Sequence, residues 1–413
     1  MNPSLAFITP VIPRFSGNGL AMRAAHNLRA LSEKFTVHLL IIALYKGDEE
    51  VPSEEILRLC TSWRRINTRA YFKENILRKL KKLVPWSKTG HPPEWALWNS
   101  SAEKESDAYL ARQKCQNIWV FRFYMFPWIE RRIRQGLPVW LDLDELESST
   151  RERLAALHAT LGEHKLSRQR QREAAVFRDC EKNFLPLFSH VVTSSRLQTG
   201  RLQRTLPRVT IWPNIISRPI HSDRPKQAGP ERALLFVGNA SYFPNRDAIR
   251  QAAEEILPRV QRLVGSHSVV LRVVGSGPED FRVKRAHGEQ VKWLGKVADL
   301  SPVYARTDIV IVPLRTGGGT RIKILEAFAH RKAVVSTRIG AEGLEVAHAR
   351  ELLLADDPDE FAAACADLLL DAERRDRLAA AGCAYVTARH SEDNLRPQAA
   401  ALALEAAEMI PGN

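Results

Sequence analysis

Cysteine is scarce in this chain of 413 residues. Cys60, Cys115, Cys180, Cys365 and Cys383 are odd in number, scattered, and without CxxC spacing. That distribution argues against a disulfide framework and against a cysteine zinc site. Long apolar runs are lacking as well. No stretch reaches the roughly 18 residues that mark a bilayer span, and the longest run, Phe35 to Tyr45, fits a buried strand. The opening MNPSLAFITPVIPR has neither a basic leader nor a cleavage site and reads as a first strand, so the expected location is cytoplasmic, with peripheral association at an inner membrane face left open. No GxGxxG directly follows a strand with an acid about 20 residues on, which tells against an NAD-dependent oxidoreductase. No solenoid repeat or low-complexity tract is present.

Acidic residues are the remaining shortage: 47 Asp and Glu against 61 Lys and Arg leave a net charge of +14. A soluble enzyme of small molecules does not require such an excess, so it asks for an anionic partner. Much of the surplus lies in residues 63–88, where Arg64, Arg65, Arg69, Arg78, Lys79, Lys81 and Lys82 alternate with Trp63, Tyr71, Phe72 and Trp86 and are opposed only by Glu74. Cations mixed with aromatic rings suit an anionic membrane surface, and a solvated basic helix is the plainer alternative. Nucleic acid is not expected, because no recognition helix, RNA-binding signature or zinc finger occurs.

The stretch DIVIVPLRTGGGTRIKILEAFAHRKAVVSTRIGAEGL, from Asp308 to Leu344, spells a strand, a glycine loop, a helix and a second strand. Asp308 to Leu314 is an apolar run suited to a buried parallel strand. Gly317, Gly318 and Gly319 permit a tight turn, and Thr320 is the expected N-cap of the helix. Free amides and the helix dipole attract an anion there, and Arg321 and Lys323 in the expected first turn add positive charge where acidic residues are usual. Glu326, three residues beyond Lys323, shares its helix face and can accept from the hydroxyls of whatever carries the phosphate; the bland alternative is a Lys323/Glu326 surface pair. Phosphate together with a diol points to a nucleotide sugar.

Each half of the chain repeats one plan. Leu5 to Thr9 runs into Gly17 and Gly19 and an amphipathic helix; Leu234 to Val237 runs into Gly238 and Asn239 and a helix from Asn245. Further strands are expected at Val37–Ala43, Ile118–Phe123, Val139–Leu143, Val191–Thr193, Val269–Val274, Val291–Leu294, Asp308–Val312 and Ala333–Ser336. Strands alternating with helices mean doubly wound parallel sheets. The proline-containing WPNIISRP and the polar HSDRPKQAGPER after it read as an interdomain connection. A final alanine-rich helix is expected near Leu395 to Met409.

FVGNASYFPNRDAI, VVGSGP, WLG, the glycine-loop segment and VVSTRIGAEGL, in this order, resemble the retaining glycosyltransferases of family 4, also called group 1. The resemblance implies a GT-B architecture: two Rossmann-like doubly wound parallel-sheet lobes facing a central cleft. Residues 1–215 would form an acceptor-binding lobe, with a terminal helix of about 391–413 packed back on it, and residues 216–390 a donor-binding lobe. It further implies that Glu326 takes the donor's ribose hydroxyls. Arg321, Lys323 and Gly238 would lie near the diphosphate, with Asn239, Asn245 and Arg246 as nearby polar candidates, and Gly317, Gly318, Gly319 and Thr320 would approach the sugar. Gly275 and Leu294 would rest against the base, and Gly17 and Gly19 would face the diphosphate from the first lobe. Gly277 is read as a simple turn residue.

Typical members carry two glutamates eight positions apart; the first position here is Gly318, flanked by glycines and expected to hold backbone angles that a Cβ disfavours. Asp142, Asp144 and Glu145 end a strand where α/β sheets place ligands, and Asp144 is a candidate acid or base. The catalytic candidates are therefore Arg321, Lys323 and Asp144. The expected reaction moves a sugar from a nucleotide diphosphate to the hydroxyl of a glycan, lipid-linked or other acceptor in polysaccharide or glycoconjugate synthesis. Neither a metal nor another cofactor is expected, since fixed positive groups can stabilise the leaving diphosphate. A nucleotide-sugar 2-epimerase of the same architecture, or a non-catalytic nucleotide or membrane-surface binding protein, are the competing readings.

Overall fold

The computed structural model describes residues 2–17, 19–44, 51–68, 91–217, 231–265, 267–277, 290–319 and 321–408. The chain forms two units: residues 1–213 with 396–413, and residues 214–395.

The first unit is built on seven strands: β1 (Ser4–Thr9), β2 (Thr36–Ala43), β3 (Ser62–Asn67), β4 (Asn117–Phe121), β5 (Val139–Asp144), β6 (His190–Thr193) and β7 (Val209–Ile211). Their order is β3-β2-β1-β4-β5-β6-β7, every pairing parallel. Continuous apolar runs such as LAFI in β1 and LLII in β2 bury side chains on both faces, as a sheet covered by helices on both sides requires. The helix Gly19–Ser32 carries Ala24, Ala25, Leu28 and Leu31 into one core, together with Ala399 and Leu402 from the last helix, Glu392–Glu408.

The second unit contains β8 (Glu231–Val237), β9 (Ser268–Val274), β10 (Val291–Gly295), β11 (Ile309–Val312), β12 (Ala333–Ser336) and β13 (Leu353–Leu354). They are ordered β10-β9-β8-β11-β12-β13, again all parallel. In each sheet the winding reverses once, between β1 and β4 and between β8 and β11. Loops leaving the carboxyl ends of two such strands diverge to opposite faces and leave a crevice, the usual ligand position of open α/β sheets.

Several local expectations are corrected. Trp63 to Asn67 is edge strand and not helix; Ile66 is its one fully buried side chain, while Trp63 is 37% exposed and Arg64 pairs with Glu105 at 2.6 Å. Arg69 to Lys88 lie outside the described residues, as does Thr320. Gly19 opens its helix instead of belonging to the preceding loop. The helix after β8 begins at Phe243, with Pro244 in its first turn. Asp308 precedes β11 and accepts a hydrogen bond from the Ala233 amide at 2.9 Å, fixing the register of β11 against β8.

Candidate active site

The switch point of the second sheet brings the turn after β8 and the glycine loop after β11 together. Gly238 donates its amide to Val274 O at 2.8 Å, Ala240 to Ser276 O at 2.8 Å, and Gly275 to Gly295 O at 2.9 Å, so the ends of β8, β9 and β10 are laced into one rim. The approach is close. A Cβ on Gly275, whose φ is +144°, would stand 2.1 Å from Gly238 O. Gly277 is needed for packing and not for a turn, since its Cβ would meet Ala240 Cβ at 2.9 Å and the Trp293 ring at 3.2 Å. Leu294, on the same rim, is 41% exposed.

Beyond β11, Arg315 donates Nε to Asp247 at 2.9 Å, tying the glycine loop to the helix Phe243–Gln251. This pair was missed in the sequence, where 68 positions separate its members and nothing local links them. The loop turns at Gly317 and Gly319, with φ of +123° and +71°, so the left-handed geometry sits on either side of Gly318. The helix that follows is Ile322–Ala329, and its cap position is Arg321. Arg321 is therefore not a first-turn cation. Its side chain is 7% exposed and donates to Gly318 O, and to Ile339 O at 3.4 and 3.3 Å, holding the loop against the segment after β12. Thr337 completes that wall by donating Oγ1 to Leu314 O and accepting from Gly340 N at 2.8 Å.

Lys323 lies in the first turn. Its Nζ donates to Asn245 Oδ1 at 2.8 Å and sits 4.4 Å from the Phe236 ring centroid. It does not pair with Glu326, whose backbone carbonyl accepts from His330 N at 2.9 Å while its carboxylate makes no hydrogen bond or ion pair with the described residues. Burial, reinforced by nearby Arg321 and opposed by Glu326, lowers the Lys323 ammonium to about 7. Burial raises the Glu326 carboxyl to about 7, with Lys323 opposing. A cation and an acid, each destabilised in its charged form and not bonded to the other, suit binding partners that arrive from outside. Asn239 uses its Oδ1 on Ser241 N at 2.8 Å, and Arg246 lies 5.6 Å from the Phe243 ring centroid.

In the first unit Gly17 holds φ at +94° in open space. Asp142 is fully buried and fixed by Arg23 Nε at 3.0 Å and Nη2 at 2.8 Å, with Asn27 donating to its other oxygen. Burial raises Asp142 to about 6 against the pull of Arg23. It is a core ion pair, in which Arg23 also donates to Trp212 O at 2.9 Å. Asp144 and Arg122, at the carboxyl ends of adjacent strands, both hold positive φ, +58° and +78°. Arg122 binds Asp144 at 2.8 Å, Glu145 at 2.9 Å, and Glu147. Asp144 thus belongs to a salt-bridge cluster, an arrangement that suits a positioning group better than a proton carrier. Among the described residues no group of His, Cys, Asp and Glu could hold a metal ion.

Residues 231–371 match the family model described as Glycosyl transferases group 1. The chain is 34% identical over 155 residues to the GDP-mannose-dependent alpha-(1-6)-phosphatidylinositol monomannoside mannosyltransferase of Mycobacterium tuberculosis, a match covering 34% of this chain and 40% of that protein. The chain thus spans about two fifths of the length of this curated relative. Among solved structures, sucrose-phosphate synthase from Thermosynechococcus elongatus superposes with a TM-score of 0.70 at 18% identity, covering 98% of this chain and 99% of that one. Anabaena HepE, solved with UDP and glucose, gives 0.62 at 14%, covering 98% and 99%. The fold is that of the GT-B glycosyltransferases.

Proposed function

We propose, for a chain placed among the group 1 glycosyl transferases by residues 231–371, that it transfers a sugar with retention of configuration from a nucleotide-diphosphate sugar to an acceptor hydroxyl. The observation that carries this reading is Lys323 and Glu326 at the start of the helix Ile322–Ala329, beside the switch point of a parallel sheet and not bonded to each other. Lys323 and the helix-start amides would meet the charge growing on the departing diphosphate, and Glu326 would accept from the ribose hydroxyls. In the step itself the anomeric carbon–phosphate oxygen bond breaks while the bond to the acceptor oxygen forms on the same face. The acceptor proton passes to the departing phosphate oxygen. The balance needs no metal. Solved neighbours that bind UDP, UDP-glucose and a glycan analogue support a nucleotide sugar and a glycan-type acceptor.

Thermal shift against UDP, GDP, ADP and their glucose or mannose conjugates tests the reading. A nucleotide at 100 times its Kd stabilises by ~2.7 kcal/mol, and Glu326→Ala should weaken the bound nucleotide by about 1.5 to 3 kcal/mol. Undiminished affinity in that variant removes Glu326 from the site.

The finer reading places the enzyme at an anionic membrane face, working in polysaccharide or glycoconjugate synthesis on a lipid-linked acceptor. No helix among the described residues is long and apolar enough to cross a membrane. The support is the basic, aromatic composition of 63–88 and the exposure of Trp63 on β3. Charge reversal at Arg78, Lys79, Lys81 and Lys82 should abolish binding to vesicles containing phosphatidylserine, at ~1 kcal/mol per cation, with nucleotide affinity unchanged. Vesicles ignored by the wild-type protein at low salt would end this part of the reading.

A further inference from the structure

Asn245 has no role in the transfer as described, yet the turn after β8 is shaped around it. Its Oδ1 accepts from Lys323 Nζ at 2.8 Å and its Nδ2 donates to Asn239 O at 3.0 Å, so both ends of the amide are engaged and its orientation is fixed. Gly238 provides the room. A Cβ there would stand 2.8 Å from Asn245 Cγ, 2.9 Å from its Nδ2, and 2.9 Å from Phe236 Cε1. The Phe236 ring meets the Lys323 ammonium 4.4 Å from its centroid. Asn245 and Phe236 therefore meet the ammonium group, Asn239 and Gly238 set the position of the amide, and none of these four residues carries charge.

We propose that Asn245 is the positioning residue of this anion site: its neutral amide fixes the Lys323 ammonium without cancelling its charge, which stays available to the diphosphate of the donor. The inference rests on the reading of Lys323 as a diphosphate-facing cation. A carboxylate at position 245 would keep the hydrogen bond from Lys323 and form an ion pair with the ammonium, while losing the donation to Asn239 O, so the pH dependence of binding, and not its strength alone, separates charge from geometry. The remaining charged groups acting on Lys323 are Arg321, which disfavours the ammonium, and Glu326, which favours it.

The experiment compares wild type, Asn245→Asp and Asn245→Ala in UDP and GDP binding by calorimetry across about pH 6 to 9, with donor KM and kcat measured alongside. Asn245→Asp should keep the fold and lower nucleoside diphosphate affinity at least tenfold. It should also move the alkaline loss of affinity to higher pH, because the new carboxylate holds the proton on Lys323. Asn245→Ala should weaken binding without that shift. A purely structural Asn245 predicts that the aspartate variant leaves the alkaline loss of affinity at its wild-type pH, and that result overturns the proposal, as does wild-type affinity in the same variant. Should the aspartate variant not fold, Gly238→Ala decides by displacing the amide: unchanged affinity there overturns it equally. A wild-type protein that binds neither nucleotide refutes the donor-site reading itself, whatever the variants do.

Discussion

Gly317 holds φ at +123°, and a Cβ there would come within 3.2 Å of the Arg321 guanidinium that ties the loop together. Backbone strain and steric pressure thus fall on one residue. Gly317→Ala should cost about 1 to 3 kcal/mol of stability and lower turnover, because Arg321 must yield its hold on Gly318 O and Ile339 O. Chemical denaturation and steady-state kinetics check both, and a variant as stable as wild type would show that the loop relaxes freely. The expectation that Gly318 carries the unusual angles is corrected by the same geometry, since the positive φ values lie at Gly317 and Gly319 on either side of it. Gly277 shows that glycine can be required for more than a turn: the indole of Trp293 occupies the place a side chain would take.

Central strands such as β1, β2, β9 and β11 were legible because parallel strands covered on both faces must be apolar throughout. β3, β7 and β13 were not. β3 lies at a sheet edge and buries little beyond Ile66, and SWRRIN carries no sustained apolar pattern. The glycine loop and the following helix were readable, but the cap falls one residue later than expected, at Arg321, whose side chain bonds Ile339 O 18 positions away. Long-range polar pairing was the other blind spot. Arg23 with Asp142 and Lys323 with Asn245 join residues 119 and 78 positions apart, and a single sequence offers no rule that joins them. The i, i+3 spacing of Lys323 and Glu326 suggested a pair that the fold does not form, since Asn245 and the Phe236 face draw the ammonium elsewhere.

At the scale of the whole molecule, the second unit interrupts the first: the chain leaves the first unit after Pro213 and rejoins it at Arg396. Ala399 and Leu402 then complete a core begun by β1 and the helix Gly19–Ser32. Removing residues 396–413 should destabilise the first unit by about 3 kcal/mol for the apolar surface uncovered and leave the second unit intact. Hydrogen exchange resolved along the sequence checks this: amides of β1, β2 and β4 should lose protection while those of β8, β9 and β11 keep theirs. Equal loss in both units would contradict the division. The same interruption sets an order of events during synthesis. All of residues 214–395 is translated before the segment that closes the first unit, so the second unit can begin to fold while the first still exposes part of its core. The nascent chain carries that uncovered core until the residues after 395 are made, and slow codons just before residue 396 would lengthen the exposure.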